Sequence, residues 1–331
     1  MKTYIVGHGA VGTYLGDALR AAGSDVVYAP RSLDEVRLAD PDLVIVATKA
    51  YDTDGAIATL RKALGEQPQA TIFCPQNGVG NEEKLAAAFG ADKIVAGALT
   101  TPVDRTKDGR SVAASKGGIA LAPMGGTAHN WLVAAFEQTG IPTRVVSDYR
   151  SLKWSKLSLN IIANATCAIL NVLPERLVTF DEVFSLEIRA IREVRAVMRA
   201  LGVRAIDLPR YPVRALQSVA TLPPPVARLV LSNRIAGARG RKPPSLLLDL
   251  RAGKGQTEVD VLNGAVVAAG SLHGVKTPIN AVLARVLSDI AHMPQLWAKY
   301  RERPLSLQAE VEAEVRRVYG PRVRLIEKFR S

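Results

Sequence analysis

A strand pattern that runs straight into a glycine motif constrains the fold of this chain more than any other feature of its 331 residues. Residues 1–6 (M-K-T-Y-I-V) have the apolar content of a short buried strand. Gly7-His8-Gly9-Ala10-Val11-Gly12 is a G-x-G-x-x-G, and Thr13 to Ala22 carries helical apolar periodicity. Strand, glycine turn and helix in that order are the context a dinucleotide-binding fingerprint needs. Gly7 permits the tight turn, Gly9 offers no side chain to an approaching pyrophosphate, and Gly12 lets the helix pack closely on the strand. The helix then points its N-terminal N–H groups and positive dipole end at the phosphates. The whole hexapeptide, Gly7, His8, Gly9, Ala10, Val11 and Gly12, is therefore predicted to bind a dinucleotide. The bland alternative is a glycine-rich turn in some other α/β fold.

The first 125 residues continue in the same alternation. Asp25 to Ala29, Asp42 to Ala47, Thr71 to Cys74 and Lys93 to Ala98 read as further strands, with helical patterns at Thr53 to Leu64 and Glu82 to Phe89. Strands alternating with helices predict a doubly wound, mostly parallel sheet, and short apolar runs without alternation suit strands buried on both faces. Thr100 to Pro123 reads as hairpin-like strands added to that sheet, Thr127 to Gln138 as a helix, and Thr143 to Val146 as a last strand. From Ser151 the pattern is almost wholly helical. The expected helices are Ser151 to Leu170, Asp181 to Leu201, Val226 to Ile235, Thr257 to His273, Thr277 to Ala291 and Ser306 to Tyr319, with Pro223-Pro224-Pro225 and Pro243-Pro244 as punctuation. The expected organisation is an α/β domain over 1–148, an all-α domain over 149–296 and a basic helical extension over 297–331, with a ligand cleft between the first two.

Composition narrows the function classes. No run of about 18 apolar residues exists to span a membrane, and the glycine-broken N-terminus does not read as a signal peptide, so a cytoplasmic protein is expected. Cys74 and Cys167 show no metal-type spacing and read as reduced packing residues; no metal site is predicted. Lys and Arg number 43 against 31 Asp and Glu, a formal charge of +12. Without a helix-turn-helix, zinc-finger or RNA-binding signature, that excess argues for a solvated face or an anion-attracting field rather than nucleic-acid binding. Exposed helical faces such as Thr257 to His273 leave a homodimer open.

An NAD-binding unit places Asp or Glu at the end of its second strand to accept the ribose 2′-OH. Here the strand ends Tyr28-Ala29-Pro30-Arg31, so Arg31 stands where the acid would be. A guanidinium matches a phosphate with paired donors, which favours NADP(H) over NAD(H). The alternative is an exposed Arg beside Asp34 and Glu35. FAD fits less well, since no second flavin-covering segment is evident.

Reducing a ketone with such a cofactor needs a proton donor for the carbonyl oxygen and groups that fix the substrate. Lys156, Asn160 and Asn164 recur every four residues, which puts them on one face of a helix otherwise flanked by Leu157, Leu159, Ile161 and Ile162. Polar groups on a mostly buried helix need partners, either a ligand or a structural polar ladder. Lys153, nearer the helix start, reads as a surface residue. Glu258 is either a carboxylate favouring a helix dipole or an acceptor for a substrate hydroxyl. Asn77, in Gln76-Asn77-Gly78 after the fourth strand, and Lys49, after the third, sit where loops of open sheets line a ligand crevice; Asn-Gly is also an ordinary turn.

With these residues in place, the chain resembles the ketopantoate reductase (2-dehydropantoate 2-reductase) family over roughly residues 3 to 293. The likeness is carried by Gly7 to Gly12, Thr48-Lys49-Ala50-Tyr51, Gln76 to Gly80, Trp154-Ser155-Lys156 with Asn160 and Asn164, Asp249 through Thr257-Glu258 to Asn263-Gly264, and His273 to Pro278. The resemblance implies an N-terminal Rossmann domain and a helical domain of the 6-phosphogluconate dehydrogenase C-terminal type. It also implies NADPH-dependent reduction of 2-dehydropantoate to pantoate, a step of pantothenate and coenzyme A synthesis. By motif, Lys156 matches the catalytic acid and Glu258 the acid that holds the substrate hydroxyl. Asn160, Asn164 and Asn77 match substrate-contacting amides, Asn77 also lying near the nicotinamide. Ser245 matches a carboxylate-binding serine, and Arg31 a 2′-phosphate contact. The stretch from Asp249 to Glu258 is about one residue longer than the family pattern, residues 201–244 diverge, and the tail is longer. Two further readings remain: a relative acting on another small 2-oxo acid, and a non-catalytic NADP(H)-binding sensor.

Overall fold

A computed structural model describes residues 1–29, 40–66, 68–106, 109–113, 115–125, 129–239 and 242–321. The chain divides into two compact units. The first is Met1–Lys156 with Ile206–Pro212, and the second is Leu157–Ala205 with Val213–Ser331.

The first unit opens with β1 (Lys2–Val6), α1 (Ala10–Ala21), β2 (Asp25–Tyr28), β3 (Leu43–Val46), α2 (Thr53–Leu64), β4 (Thr71–Cys74), α3 (Asn81–Phe89) and β5 (Ile94–Leu99). It continues through β6 (Val103–Arg105), β7 (Ser111–Ala113), β8 (Ile119–Pro123), α4 (Asn130–Gln138) and β9 (Thr143–Val145). Seven strands form one sheet in the order β2-β1-β3-β4-β5-β8-β9. The first five are parallel, with Thr3 opposite both Val26 and Leu43. Leu43 to Val46, Thr71 to Cys74 and Ile94 to Leu99 are buried along their whole length, as expected of strands covered on both faces. One hydrophobic core, with Ile5, Leu15, Leu19, Phe73 and Phe136, fills one face. Another, with Tyr4, Val46, Leu60, Leu85 and Phe89, fills the other. Together these make the doubly wound α/β domain expected from the strand–helix alternation.

The hairpin expectation needs correction. Only β8 joins the large sheet, antiparallel to β5, whereas β6 and β7 pair with each other in a separate two-stranded sheet. Their burial accords with this: β8 is almost wholly buried, as a strand within the large sheet must be, while no residue of β6 or β7 is fully buried. The return of Ile206–Pro212 to this unit was also not foreseen. Arg144 donates to the Asp207 carbonyl (2.7 Å), Thr100 to that of Pro209 (2.9 Å), and the Ile206 N–H to the Ser155 hydroxyl (2.9 Å).

The second unit is all-helical among the described residues. It contains the end of α5 (Tyr149–Ile161), then α6 (Ala165–Leu170), α7 (Pro174–Leu177), α8 (Asp181–Ala200), α9 (Val213–Val219), α10 (Pro224–Arg239) and α11 (Ser245–Arg251). A π-helical turn (Asp260–Gly264), α12 (Ala265–Leu272), α13 (Pro278–His292) and α14 (Pro304–Tyr319) follow. The helix expected over Ser151 to Leu170 is in fact two, broken at Ile162 to Asn164. The prolines read as punctuation at 223–225 instead start α10, since the first helical turn needs no N–H from Pro224. The short α7, α9 and α11 escape periodicity because they are only four and seven residues long. The tail helix is integral to this unit: α14 buries Leu307, Val311 and Val315 and packs on α13 and α8. The Trp297 indole N–H reaches the carbonyls of Ala168 and Ile169, both at 3.0 Å, closing the end of α6. Glu310 on α14 takes Lys299 (2.6 Å) and Arg285 (2.9 Å), and these bonds pull its carboxyl down to about 2. No described helix is long and apolar enough to cross a membrane.

Glu193 on α8 is perturbed in the opposite direction from Glu310. It accepts the Ile279 and Asn280 N–H groups, both at 2.9 Å, at the start of α13, and the Asn280 amide at 2.7 Å. Burial outweighs these bonds and pushes its carboxyl up to about 7. A raised carboxylate favours the folded state most when protonated, so the stability this group lends is full below about pH 4.5 and lost as pH rises through 7. The difference amounts to about 3 kcal/mol at most. Glu193→Gln cannot titrate, so urea unfolding at pH 5 and pH 7.5 should differ less in the variant than in the parent. An unchanged difference would assign the slope to other groups.

Candidate active site

The glycine loop lies at the carboxyl end of β1, where the strand order switches between β2 on one side and β3 on the other. Such switch points are where open α/β sheets bind ligands. Gly7 has φ +112°, and a Cβ there would lie 2.6 Å from the backbone of Ala47 and Thr48 beyond β3. A Cβ on Gly12 would lie 2.0 Å from the Gly7 carbonyl oxygen, so only glycine lets α1 approach its strand this closely. Gly9 behaves differently. It caps α1 in an extended conformation, and the nearest atom to a Cβ there would be the Ala47 oxygen at 4.0 Å. The chain's own packing does not need glycine at this position, whereas a pyrophosphate laid against the helix N-terminus does. His8 and Gly9 are exposed and Ala10 and Val11 half-buried, so the first N–H groups of α1 face an open loop. These residues fit a dinucleotide.

Two supports of the loop gave no sequence signal. The His8 ring stacks on Tyr28, centroids 4.1 Å apart, and Arg105 on β6 donates to the His8 carbonyl at 3.2 Å. Arg31 lies outside the described residues.

The loops after β3 and β4 are tied to each other. The buried Gln76 amide donates to the Thr48 carbonyl (3.1 Å), the Thr48 hydroxyl (3.1 Å) and the Thr53 hydroxyl (3.0 Å). Gln76 is thus a brace between the two loops, in which Asn77 and Lys49 are half-buried. The Asn81 amide holds the Asn77 carbonyl at 3.0 Å.

Helix α5 brings the largest correction. Lys153, expected at the surface, is only 2% exposed. Its ammonium reaches the Gln76 carbonyl (2.5 Å), the Gly97 carbonyl (3.3 Å) and the Glu82 carboxylate (2.7 Å). Ser151 to Ser155, Leu157 and Ser158 are all buried, so polar residues here do not mark a solvent face from which the exposure of Lys153 could be read. Lys156, one turn later, is half-buried, as is Asn160.

Lys156 and Asn160 share α5, but Asn164 does not continue their face. The helix ends at Ile161, Ala163 adopts φ +49°, and Asn164 caps α6. No glycine or proline marks the break. Buried Glu187 on α8 sustains it by accepting the Ala163 N–H at 2.7 Å, offsetting the roughly 1–2 kcal/mol that a left-handed alanine costs. Turned in this way, Asn164 accepts the Leu246 N–H at 3.2 Å and directs its amide nitrogen at the Ser245 hydroxyl, 3.5 Å away. The structure therefore brings Asn164 and Ser245 together across 81 residues of sequence.

Glu258 is 5% exposed and lies in the turn just before the π-helical residues. The loop ahead of it is closed by Lys254, paired with buried Asp249 at 2.7 Å. Glu258 therefore enters a π-turn and not the regular α-helix expected from Thr257. Such turns recur at functional sites. The first unit thus holds the glycine loop, Lys49, Asn77 and Lys156, and the second holds Asn160, Asn164, Ser245 and Glu258. Among the described residues no cluster of His, Cys, Asp and Glu could hold a metal ion.

Comparison with known proteins places these features in a family. The sequence profile described as "Ketopantoate reductase PanE/ApbA" matches residues 27–126, and "Ketopantoate reductase PanE/ApbA C terminal" matches residues 148–291. A 2-dehydropantoate 2-reductase of Caulobacter vibrioides is 33% identical over 258 residues, spanning 77% of this chain and 79% of that protein. The crystal structure of a PanE/ApbA family ketopantoate reductase from Ralstonia eutropha superposes with a TM-score of 0.73 at 28% identity, covering 89% of this chain and 100% of that one. D-mandelate dehydrogenase in complex with NADH has a TM-score of 0.72 at 19% identity, over 88% of this chain and 99% of that one; it shares the fold.

Proposed function

The chain belongs to the ketopantoate reductase family, whose members are oxidoreductases acting on CH–OH groups, and from that premise we propose that it reduces 2-dehydropantoate to pantoate with NADPH. The observation that carries the dinucleotide part is Gly9, a glycine that the protein's own packing leaves free. NADPH over NADH rests on Arg31 and on the lack of an acid after Tyr28.

When bound, the cofactor supplies the hydride that becomes the new C–H of the product. The chain's part is to hold the ketone and deliver a proton. Lys156 donates one N–H proton to the carbonyl oxygen as negative charge builds there, leaves as a neutral amine, and is reprotonated from water. Glu258, held within a buried turn, accepts a hydrogen bond from the substrate hydroxyl and so orients the ketone. Ser245 binds the substrate carboxylate. Asn164 serves chiefly by fixing the Ser245 hydroxyl and the Leu246 N–H of α11, because its carbonyl is already engaged by Leu246. Asn160 and Asn77 contribute amide contacts.

A direct assay compares nicotinamide oxidation with 2-dehydropantoate, with NADPH and NADH in parallel, beside a panel of other small 2-oxo acids. Turnover confined to other acids would favour the second reading, a relative with a different 2-oxo acid, for which the Asp249–Glu258 loop closed by Lys254 is the specific argument. The coenzyme preference has its own test. Arg31→Ala should weaken NADPH binding about tenfold or more with little effect on NADH, as expected for loss of a charge-assisted phosphate contact. Equal weakening of both would refute the 2′-phosphate role.

A further inference from the structure

Lys153 donates to the Gln76 carbonyl at 2.5 Å and the Gly97 carbonyl at 3.3 Å, and its ammonium forms an ion pair with the Glu82 carboxylate at 2.7 Å. The two carbonyls lie just past the end of the β4–β5 ladder, whose last aligned pair is Cys74 with Ala96. Pro75, next in the chain, has no N–H to extend it. Glu82 is fully buried in the first turn of α3. Burial raises its carboxyl and Lys153 opposes that rise; burial pulls the Lys153 ammonium down, but the Glu82 carboxylate outweighs it and holds it charged.

A buried ion pair is weak evidence of stabilisation, since apolar residues of the same volume often serve as well. What apolar residues cannot do is grip a carbonyl. The Gln76 carbonyl belongs to the peptide that enters Asn77. The Asn77 carbonyl, on the peptide that leaves it, is held by the Asn81 amide. With both flanking peptide planes fastened, the direction in which Asn77 projects its side chain is set. The same ammonium anchors α5 one turn before Lys156. We propose that Lys153, with Glu82, is a positioning residue that sets Asn77 and Lys156 relative to one another through a single clamp between the loop after β4 and the Gly97 carbonyl within β5. The proposal rests on the roles given above to those two residues.

Lys153→Met alone leaves Glu82 buried and uncompensated and is a poor test. The informative variant is Lys153→Met with Glu82→Met, in the full chain; Lys153→Met with Glu82→Gln, also neutral, is the second should the first not fold. The expected result is a thermal midpoint and NADPH affinity near those of the parent, with kcat for 2-dehydropantoate lowered about ten- to a hundredfold. Misplacing a catalytic group by about 1 Å has an effect of that size. KM should change far less, a split that general loosening of the fold would not produce. Amide exchange at Asn77 to Val79 should quicken while the core strands keep their protection. Parental kcat in the double variant overturns the proposal, as does unchanged exchange at Asn77. If the parent itself fails to reduce 2-dehydropantoate, the proposed function is at fault, and the exchange measurement still decides whether Lys153 positions Asn77.

Discussion

Lys156→Ala is expected to lower kcat for the 2-oxo acid by two to four powers of ten while NADPH binding survives. Hydride arrival at a ketone puts a full negative charge on oxygen unless a proton comes with it, and a positioned general acid contributes about 10²–10⁴-fold in rate. Lys156 is half-buried on a helix anchored one turn earlier by Lys153, so its ammonium is held on a fixed stem while keeping access to water for reprotonation. NADPH binding should survive because the glycine loop is built from β1, α1 and the backbone of Ala47 and Thr48, none of which involves Lys156. Steady-state turnover beside a direct NADPH titration reads both. Unchanged turnover would remove Lys156 from the chemistry. Lost NADPH affinity would mean that it serves the cofactor instead.

The second large effect separates two glycines three residues apart. Gly12→Ala places a methyl 2.0 Å from the Gly7 carbonyl oxygen and 3.3 Å from the Ala47 Cβ. The first is backbone directly following β1 and the second a Cβ fixed to the backbone directly following β3, so neither can turn aside as the end of a flexible side chain does. The helix must lift from the strand, at a cost on the order of 3 kcal/mol or more. Gly9→Ala meets nothing nearer than 4.0 Å and sits in an extended conformation that alanine adopts freely. Its stability should match or exceed the parent by a few tenths of a kcal/mol, because alanine has fewer unfolded conformations to lose. Its NADPH affinity should nevertheless fall about tenfold or more, as the methyl stands where pyrophosphate must approach. Urea unfolding and NADPH titration on both variants give a crossed result. A stable Gly12→Ala protein would contradict the close helix–strand approach. A Gly9→Ala protein that binds NADPH normally would put the phosphates elsewhere.

Much of the first unit was legible because its signals are local. A strand buried on both faces must be apolar throughout, and Thr71 to Cys74 and Thr53 to Leu64 have the bounds their composition predicts. The glycine hexapeptide was readable for the same reason: a positive φ and a forbidden Cβ act on the residue itself. The first lysine of α5 was not readable. Lys153 is buried because of acceptors 77 and 56 residues away, and no spacing within its own helix reports them. The face shared by Lys156, Asn160 and Asn164 was sound arithmetic for a continuous helix, and it failed because Glu187, 24 residues on, sustains a left-handed turn at Ala163.

The sequence by itself determined the elements that follow from backbone conformation and apolar periodicity. These are the parallel sheet, the glycine loop after β1 and the helical second half. Tertiary structure alone decided which polar groups meet. It buried Lys153 against Glu82, turned Asn164 from the Lys156 face towards Ser245, and folded Ile206–Pro212 back onto the first unit. The physical reason is range. Dihedral preferences and periodicity act within a turn or two of chain. The partner that makes a buried charge or amide tolerable is supplied from anywhere the fold brings the chain back.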